Sequence, residues 1–217
     1  VTNADMAVCP PAIYIPKVNE LIGDANIGLG SQNICDQEAG AFTGELAPSM
    51  LKEFNCRYAI IGHSERRSLY SESDELVAKR FAMAVKHGIT PLFCIGETLQ
   101  ERESGVMEDV VSRQLDAVID SQGIDAIGQC VIAYEPVWAI GTGVTASPEQ
   151  AQAVHAFIRN KLAALSEDVA AKVQILYGGS MNAANAAELL SQTDIDGGLI
   201  GGAALKADDF LAIGKSA

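Results

Sequence analysis

The chain has 217 residues, 48% of them hydrophobic and 20% charged, which is enough to bury one substantial core. A formal net charge of −13 and a pI of about 4.5 argue against a nucleic-acid or anionic-membrane surface, so any anionic ligand has to be held by local donors against the overall field. No apolar run is long enough to span a membrane, the opening residues do not read as a signal peptide, and five widely spaced cysteines without a Cys-x-x-Cys pair predict reduced thiols in a cytoplasmic protein.

Short apolar segments alternate with amphipathic ones. Strands are predicted at Met6–Cys9, Ile27–Ser31 and Tyr58–Ile61, followed by a helix over Glu72–His87 with Leu76, Phe81, Met83, Ala84 and Val85 among its apolar positions and Gly88 as its stop. A strand at Pro91–Ile95 and a helix at Val106–Ile119 come next. After them a strand at Val131–Tyr134 precedes a helix from Ser147 to Leu165, in which Ser147, Pro148 and Gln150 make a capping-box start. A strand at Gln174–Tyr177, a helix at Asn182–Leu190, a strand at Gly198–Ile200 and a helix at Asp208–Ile213 complete the series. The strands are nearly continuous in Val, Ile, Leu and Ala, as parallel strands buried on both faces should be. No linker interrupts the pattern, so residues 1–217 are read as a single domain. Such alternation fits a doubly wound sheet or a closed barrel. The spread of candidate chemistry over the C-terminal ends of several strands favours the barrel, with about seven strands in place of eight.

Four motifs carry that chemistry. Glu135 ends a buried strand and is followed by Pro136 and a glycine-bearing loop, which suits a general base that must be shut away from water. An isolated Glu-Pro at a strand end is more often a solvated surface carboxylate. His63, in Gly62-His63-Ser64-Glu65-Arg66-Arg67, stands where a helix N-terminus would lower its pKa and keep the imidazole neutral, although a lone histidine is more often structural. Glycine pairs in Tyr177-Gly178-Gly179-Ser180 and in Gly197-Gly198-Leu199-Ile200-Gly201-Gly202-Ala203 would let backbone amides approach a phosphate. His63, His87 and His155 form no His-x-x-x-His pair, and neither a metal nor a cofactor is expected.

At these motifs, and over its whole length, the chain resembles the triosephosphate isomerase family. Cys94-Ile95-Gly96-Glu97-Thr98, Ala133-Tyr134-Glu135-Pro136-Val137-Trp138-Ala139-Ile140-Gly141-Thr142-Gly143 and Gly40-Ala41-Phe42-Thr43-Gly44-Glu45 look like that family's signatures, as do the Gly62 and Tyr177 runs. The resemblance implies a (β/α) barrel, incomplete at about seven of eight βα units, and interconversion of dihydroxyacetone phosphate and glyceraldehyde 3-phosphate through an enediolate. It implies Glu135 as the base and neutral His63 as the group that polarises the carbonyl and shuttles a proton. Ser64, Glu65 and Cys94 would stand behind them, and Gly141, Ser180, Gly201 and Gly202 would hold the phosphate. Pro136, Val137, Trp138, Ala139, Ile140, Thr142 and Gly143 would belong to a lid running to Ala146, with Val144-Thr145-Ala146 as its last hinge. Gly40, Ala41, Phe42, Thr43, Gly44 and Glu45 would form a dimer loop.

One feature of the family has no counterpart in the sequence. No Asn-x-Lys precedes Ala7-Val8-Cys9-Pro10-Pro11, which resembles the family's second strand, and none of Lys17, Lys52, Lys79 or Lys86 lies at a predicted strand end. The expectations are therefore very low activity, a Glu65 that turns to solvent or has a raised pKa, and self-association as a homodimer or other homo-oligomer through a route other than the family's usual dimer. The competing readings are a non-catalytic, self-associating protein that at most binds phosphate, and a different phosphosugar barrel enzyme. The lid and the Gly-His-Ser-Glu run argue against the latter.

Overall fold

The computed structural model describes residues 1–142 and 145–217. Seven parallel strands pair strictly in chain order: β1 (Met6–Val8), β2 (Ile27–Ser31), β3 (Tyr58–Ile61), β4 (Thr90–Ile95), β5 (Val131–Tyr134), β6 (Gln174–Tyr177) and β7 (Gly197–Gly198). They form a curled, incomplete (β/α) barrel whose edge strands are β1 and β7. The central strands are in full register, with Ile95 opposite Tyr134 and Tyr134 opposite Tyr177 at their C-terminal ends.

Eleven helices accompany the strands among the described residues: α1 (Ile15–Ile22), α2 (Pro48–Glu53), α3 (Ser64–Leu69), α4 (Asp74–Lys86), α5 (Leu99–Glu103), α6 (Met107–Gln122), α7 (Ile124–Ile127), α8 (Pro148–Ala163), α9 (Glu167–Lys172), α10 (Ala186–Leu190) and α11 (Ala207–Lys215). Short 3-10 turns follow β1 (Ala12–Tyr14), β5 (Val137–Ala139) and β7 (Gly202–Leu205). The long helices bury one stripe against the sheet. On α4 the stripe is Val77, Phe81 and Ala84, and Phe81 meets Phe93 of β4 edge-on at 5.6 Å between ring centroids. Val111, Leu115 and Val118 of α6 and Val154, Ile158 and Leu162 of α8 continue the same layer.

The structure differs from the sequence expectation in three respects. The last strand is two residues, Gly197–Gly198, rather than Gly198–Ile200, although the Leu199 N–H still reaches Tyr177 O at 3.0 Å. The segment expected to be helical over Asn182–Leu190 begins only at Ala186, because Asn182 folds into a turn in which its side-chain oxygen accepts from the Ala184 and Asn185 N–H groups. Helices α1, α2, α5, α7 and α9 have no counterpart in that expectation; four of the five are six residues or shorter.

Helix α11 reaches back to the first strand. Placing a Cβ on Gly214 would bring it to 3.3 Å from Met6 Sδ and 3.5 Å from Val1, and the Asn3 amide donates to the carbonyls of Lys215 and Ala217. Helix α11 thus packs against the N-terminal residues and the start of β1.

Candidate active site

The strand ends bring Glu135 and His63 together. Glu135 follows β5 and is 1% exposed, and its Oε1 lies 2.9 Å from His63 Nε2. The same carboxylate accepts from the Ser64 backbone N–H at 2.9 Å and from the Ser64 hydroxyl at 3.3 Å. It is a buried, fully engaged carboxylate, not a solvated strand-end glutamate.

His63 caps α3. Its Nδ1 accepts from the Glu65 N–H at 3.3 Å, so the lone pair faces the helix and the proton of the neutral ring lies on Nε2, facing Glu135. The direction of its pKa differs from the expectation. Burial acts to lower it, but the hydrogen bond to Glu135, the Glu135 charge and then the Glu65 charge outweigh burial and hold it above the ordinary histidine value. That carboxylate comes from 72 positions along the chain, so the local helix argument could not include it. Arg67 braces the loop below, donating to Gly62 O at 2.7 Å, Cys94 O at 3.3 Å and Asp74 at 2.6 Å, which ties the ends of β3 and β4 together.

Glu65 turns outward, with 71% of its side chain exposed and its Oε2 3.9 Å from His63 Nδ1. Cys94 is fully buried, and burial first, then the nearby Glu135 charge, raises its thiol well above the usual value, so it stays protonated. Among the described residues, no lysine bonds to the side chain of Glu135 or His63.

The segment after Glu135 folds over this end of the sheet. Val137–Ala139 forms its 3-10 turn, Ala139 is buried, and the Ser180 hydroxyl donates to Ala139 O at 2.6 Å, joining the glycine-rich turn after β6 to the segment. Gly141 has φ +66°, a conformation that favours glycine, and its surroundings are open. The Thr142 hydroxyl donates to Trp138 O at 2.9 Å. Gly143 and the hinge position Val144 lie outside the described residues. Gly201 and Gly202 are exposed at the start of the 3-10 turn after β7.

A second buried carboxylate, missed as a site residue by the sequence reading, anchors that segment. Glu97 is fully buried, and its Oε1 accepts from Trp138 Nε1 at 2.8 Å, Arg102 at 3.0 Å and the Tyr134 hydroxyl at 3.1 Å. Its carbonyl takes the Val137 N–H at 3.1 Å. Arg102 also lies over the Trp138 ring, 4.9 Å from its centroid. Glu97 stands just past β4, so its signal was a charged residue two positions beyond a continuous apolar strand. Residues Gly40–Gly44 are exposed in the loop between β2 and α2, with Phe42 46% exposed and Glu45 tied back to Arg80 at 3.6 Å.

Comparison with known proteins agrees with this geometry. A family model described as triosephosphate isomerase matches residues 1–217. The chain is similar to proteins named triosephosphate isomerase from Thiobacillus denitrificans (59% identity over 213 residues, 98% of this chain and 86% of the relative), Pseudomonas entomophila (57% over 217 residues, 100% and 86%) and Ralstonia nicotianae (54% over 215 residues, 99% and 87%).

Proposed function

The chain belongs to the triosephosphate isomerase family, and from that premise we propose that its site interconverts dihydroxyacetone phosphate and glyceraldehyde 3-phosphate. The observation that carries the reading is the buried Glu135 carboxylate facing His63 Nε2 across 2.9 Å at the ends of β5 and β3. A triose entering between them replaces that contact. Glu135 then removes the proton alpha to the carbonyl, and His63, with its proton on Nε2, polarises the carbonyl and moves a proton between the two oxygens of the enediolate. The amides of Gly141, Ser180, Gly201 and Gly202 hold the phosphate. The segment beyond Pro136 closes over the intermediate and keeps water out, which hinders loss of phosphate.

The five free cysteines support reading this enzyme as cytoplasmic, and residues 1–217 are read as one domain. No described helix is long and apolar enough to cross a membrane. Self-association accompanies the activity. The two most exposed large apolar side chains, Leu205 (89%) and Ile13 (80%), follow the two edge strands, and a second copy that covers them removes them from water.

In a polypeptide of these 217 residues alone, no lysine among the described residues bonds to the side chain of Glu135 or His63 to balance the substrate dianion. Missing one strong electrostatic stabiliser lowers turnover by about 100- to 1000-fold. The test is a coupled assay on that polypeptide, and on the same polypeptide extended by a strand–helix unit carrying Asn-x-Lys, each with and without Glu135→Gln. Turnover that rises with the extension and collapses with Glu135→Gln is expected. A rate indifferent to Glu135→Gln in both would show that the chemistry does not belong to this site.

A further inference from the structure

Glu135 extends the strand register by one row. Ile95, Tyr134 and Tyr177 stand side by side at the ends of β4, β5 and β6, and the ladder continues one step further, with the Glu135 N–H donating to Ile95 O at 2.8 Å and the Gly178 N–H to Tyr134 O at 2.7 Å. The next row therefore reads Gly96, Glu135, Gly178. Neighbouring strands lie about 4.8 Å apart and same-row side chains leave the same face, so Glu135 has no side chain on either side of it.

The lack of a side chain on each flank is required sterically. A Cβ on Gly96 would fall on the Glu135 carbonyl oxygen, 2.6 Å from its carbonyl carbon and 3.2 Å from its Cα. One on Gly178 would stand 3.0 Å from Glu135 Cγ and 3.0 Å from Tyr134 O. Neither glycine has a positive φ, so space and not backbone conformation requires them. Gly96 is itself held. The Gln114 side chain, buried on α6, accepts the Gly96 N–H at 2.7 Å and donates to Gly96 O at 3.2 Å, as a further strand would.

We propose that Gly96 and Gly178, with Gln114 clamping Gly96, are positioning residues: they form a slot without side chains that seats Glu135 and aims its carboxylate at the reacting carbon. The proposal rests on the reading of Glu135 as the base. The slot leaves room for the main chain of Glu135 on the β4 side and for its Cγ on the β6 side, where any larger residue would push the side chain aside.

The test follows the His63 ring resonances in an NMR pH titration of the 217-residue polypeptide, because the Glu135 carboxylate holds that imidazole's pKa up and a displaced carboxylate releases it. Glu135→Gln sets the full release. Gly178→Ala, which meets Glu135 Cγ directly, and Gln114→Met, which keeps the volume and removes both bonds to Gly96, are each expected to give a third or more of that release, roughly. In the extended polypeptide the same variants lower kcat by about 10- to 100-fold with KM within about threefold. Gly96→Ala gives the largest effect; should it fail to fold, the other two variants decide. An unchanged His63 titration in folded Gly178→Ala and Gln114→Met overturns the slot, as does a Glu135→Gln control that releases nothing. Absence of turnover in the extended polypeptide overturns the isomerase reading instead, and leaves the titration to judge the slot.

Discussion

Glu97 gathers three donors on one oxygen in a site without solvent, and one of them is the chain's single tryptophan, Trp138. Glu97→Leu leaves the Arg102 charge and the Tyr134 hydroxyl short of a partner, at a cost of about 3 kcal/mol. It also frees the indole, so the intrinsic fluorescence of the native protein is expected to shift to longer wavelength; an unshifted spectrum would mean that Trp138 is held by something else. Two histidines, the buried His155 and the part-exposed His63, pull acid stability in opposite directions. His155 is fully buried on α8 with Nδ1 3.0 Å from Asp194 O, and burial lowers its pKa from 6.5 to about 4. Its unfolded form takes up a proton first, so stability is lost as pH falls below the unfolded value and the loss is complete below the folded one, about 3 kcal/mol in all. His63 has a raised pKa, so its pair with Glu135 stabilises the fold below the unfolded pKa, and that contribution disappears as pH rises through the folded value. Urea unfolding of His155→Phe between pH 6.5 and 4 should therefore show a shallower fall than the unsubstituted chain; an equal slope would place the acid sensitivity elsewhere.

Among the elements, the strands were the most legible in sequence and the short helices the least. Val131–Tyr134 and Gln174–Tyr177 are short runs rich in apolar residues, each ending in a buried tyrosine, and the structure places them at those bounds. Gly197–Gly198 carries no side-chain pattern, so only pairing with β6 defines it. The Ser147–Gln150 box was legible because its parts are local; the structure forms both bonds, Gln150 N–H to the Ser147 hydroxyl at 3.2 Å and Ser147 N–H to the Gln150 side chain at 3.0 Å. Ser147→Ala is expected to cost about 1 kcal/mol by thermal or urea unfolding, and a neutral result would show that the end of the preceding segment, not the cap, fixes the start of α8. The same box at Thr98–Glu101 opens α5 and passed unnoticed because only five helical residues follow it. At the site the residue types were legible, but the contacts were not. The Glu135–His63 pair, the Glu97 cluster and the Gln114 clamp each join segments 18 or more positions apart, and the reversed direction of the His63 pKa comes from such a contact.

For the molecule as a whole, the proposed self-association sets a net charge of −13, which repels a second copy at long range, against the exposed Leu205 and Ile13 beside the edge strands β1 and β7. Raising salt screens the repulsion and leaves the apolar term. Sedimentation at micromolar concentration is therefore expected to show association that strengthens with salt and weakens in Leu205→Glu; a monomer at all salt concentrations would remove the open sheet from the account of assembly.

The order of the sheet, each strand beside its neighbour in the sequence, also bears on how the protein is made. As the chain leaves the ribosome from its N-terminus, each described strand after β1 finds one partner already present. The nascent molecule can thus condense one βα unit at a time, each unit hiding the apolar face of the one before. The β5 end, with Glu135, is built onto a finished β4 and Gly96 and is then closed by β6 and Gly178, so the carboxylate's seat is complete while α11 is still to emerge.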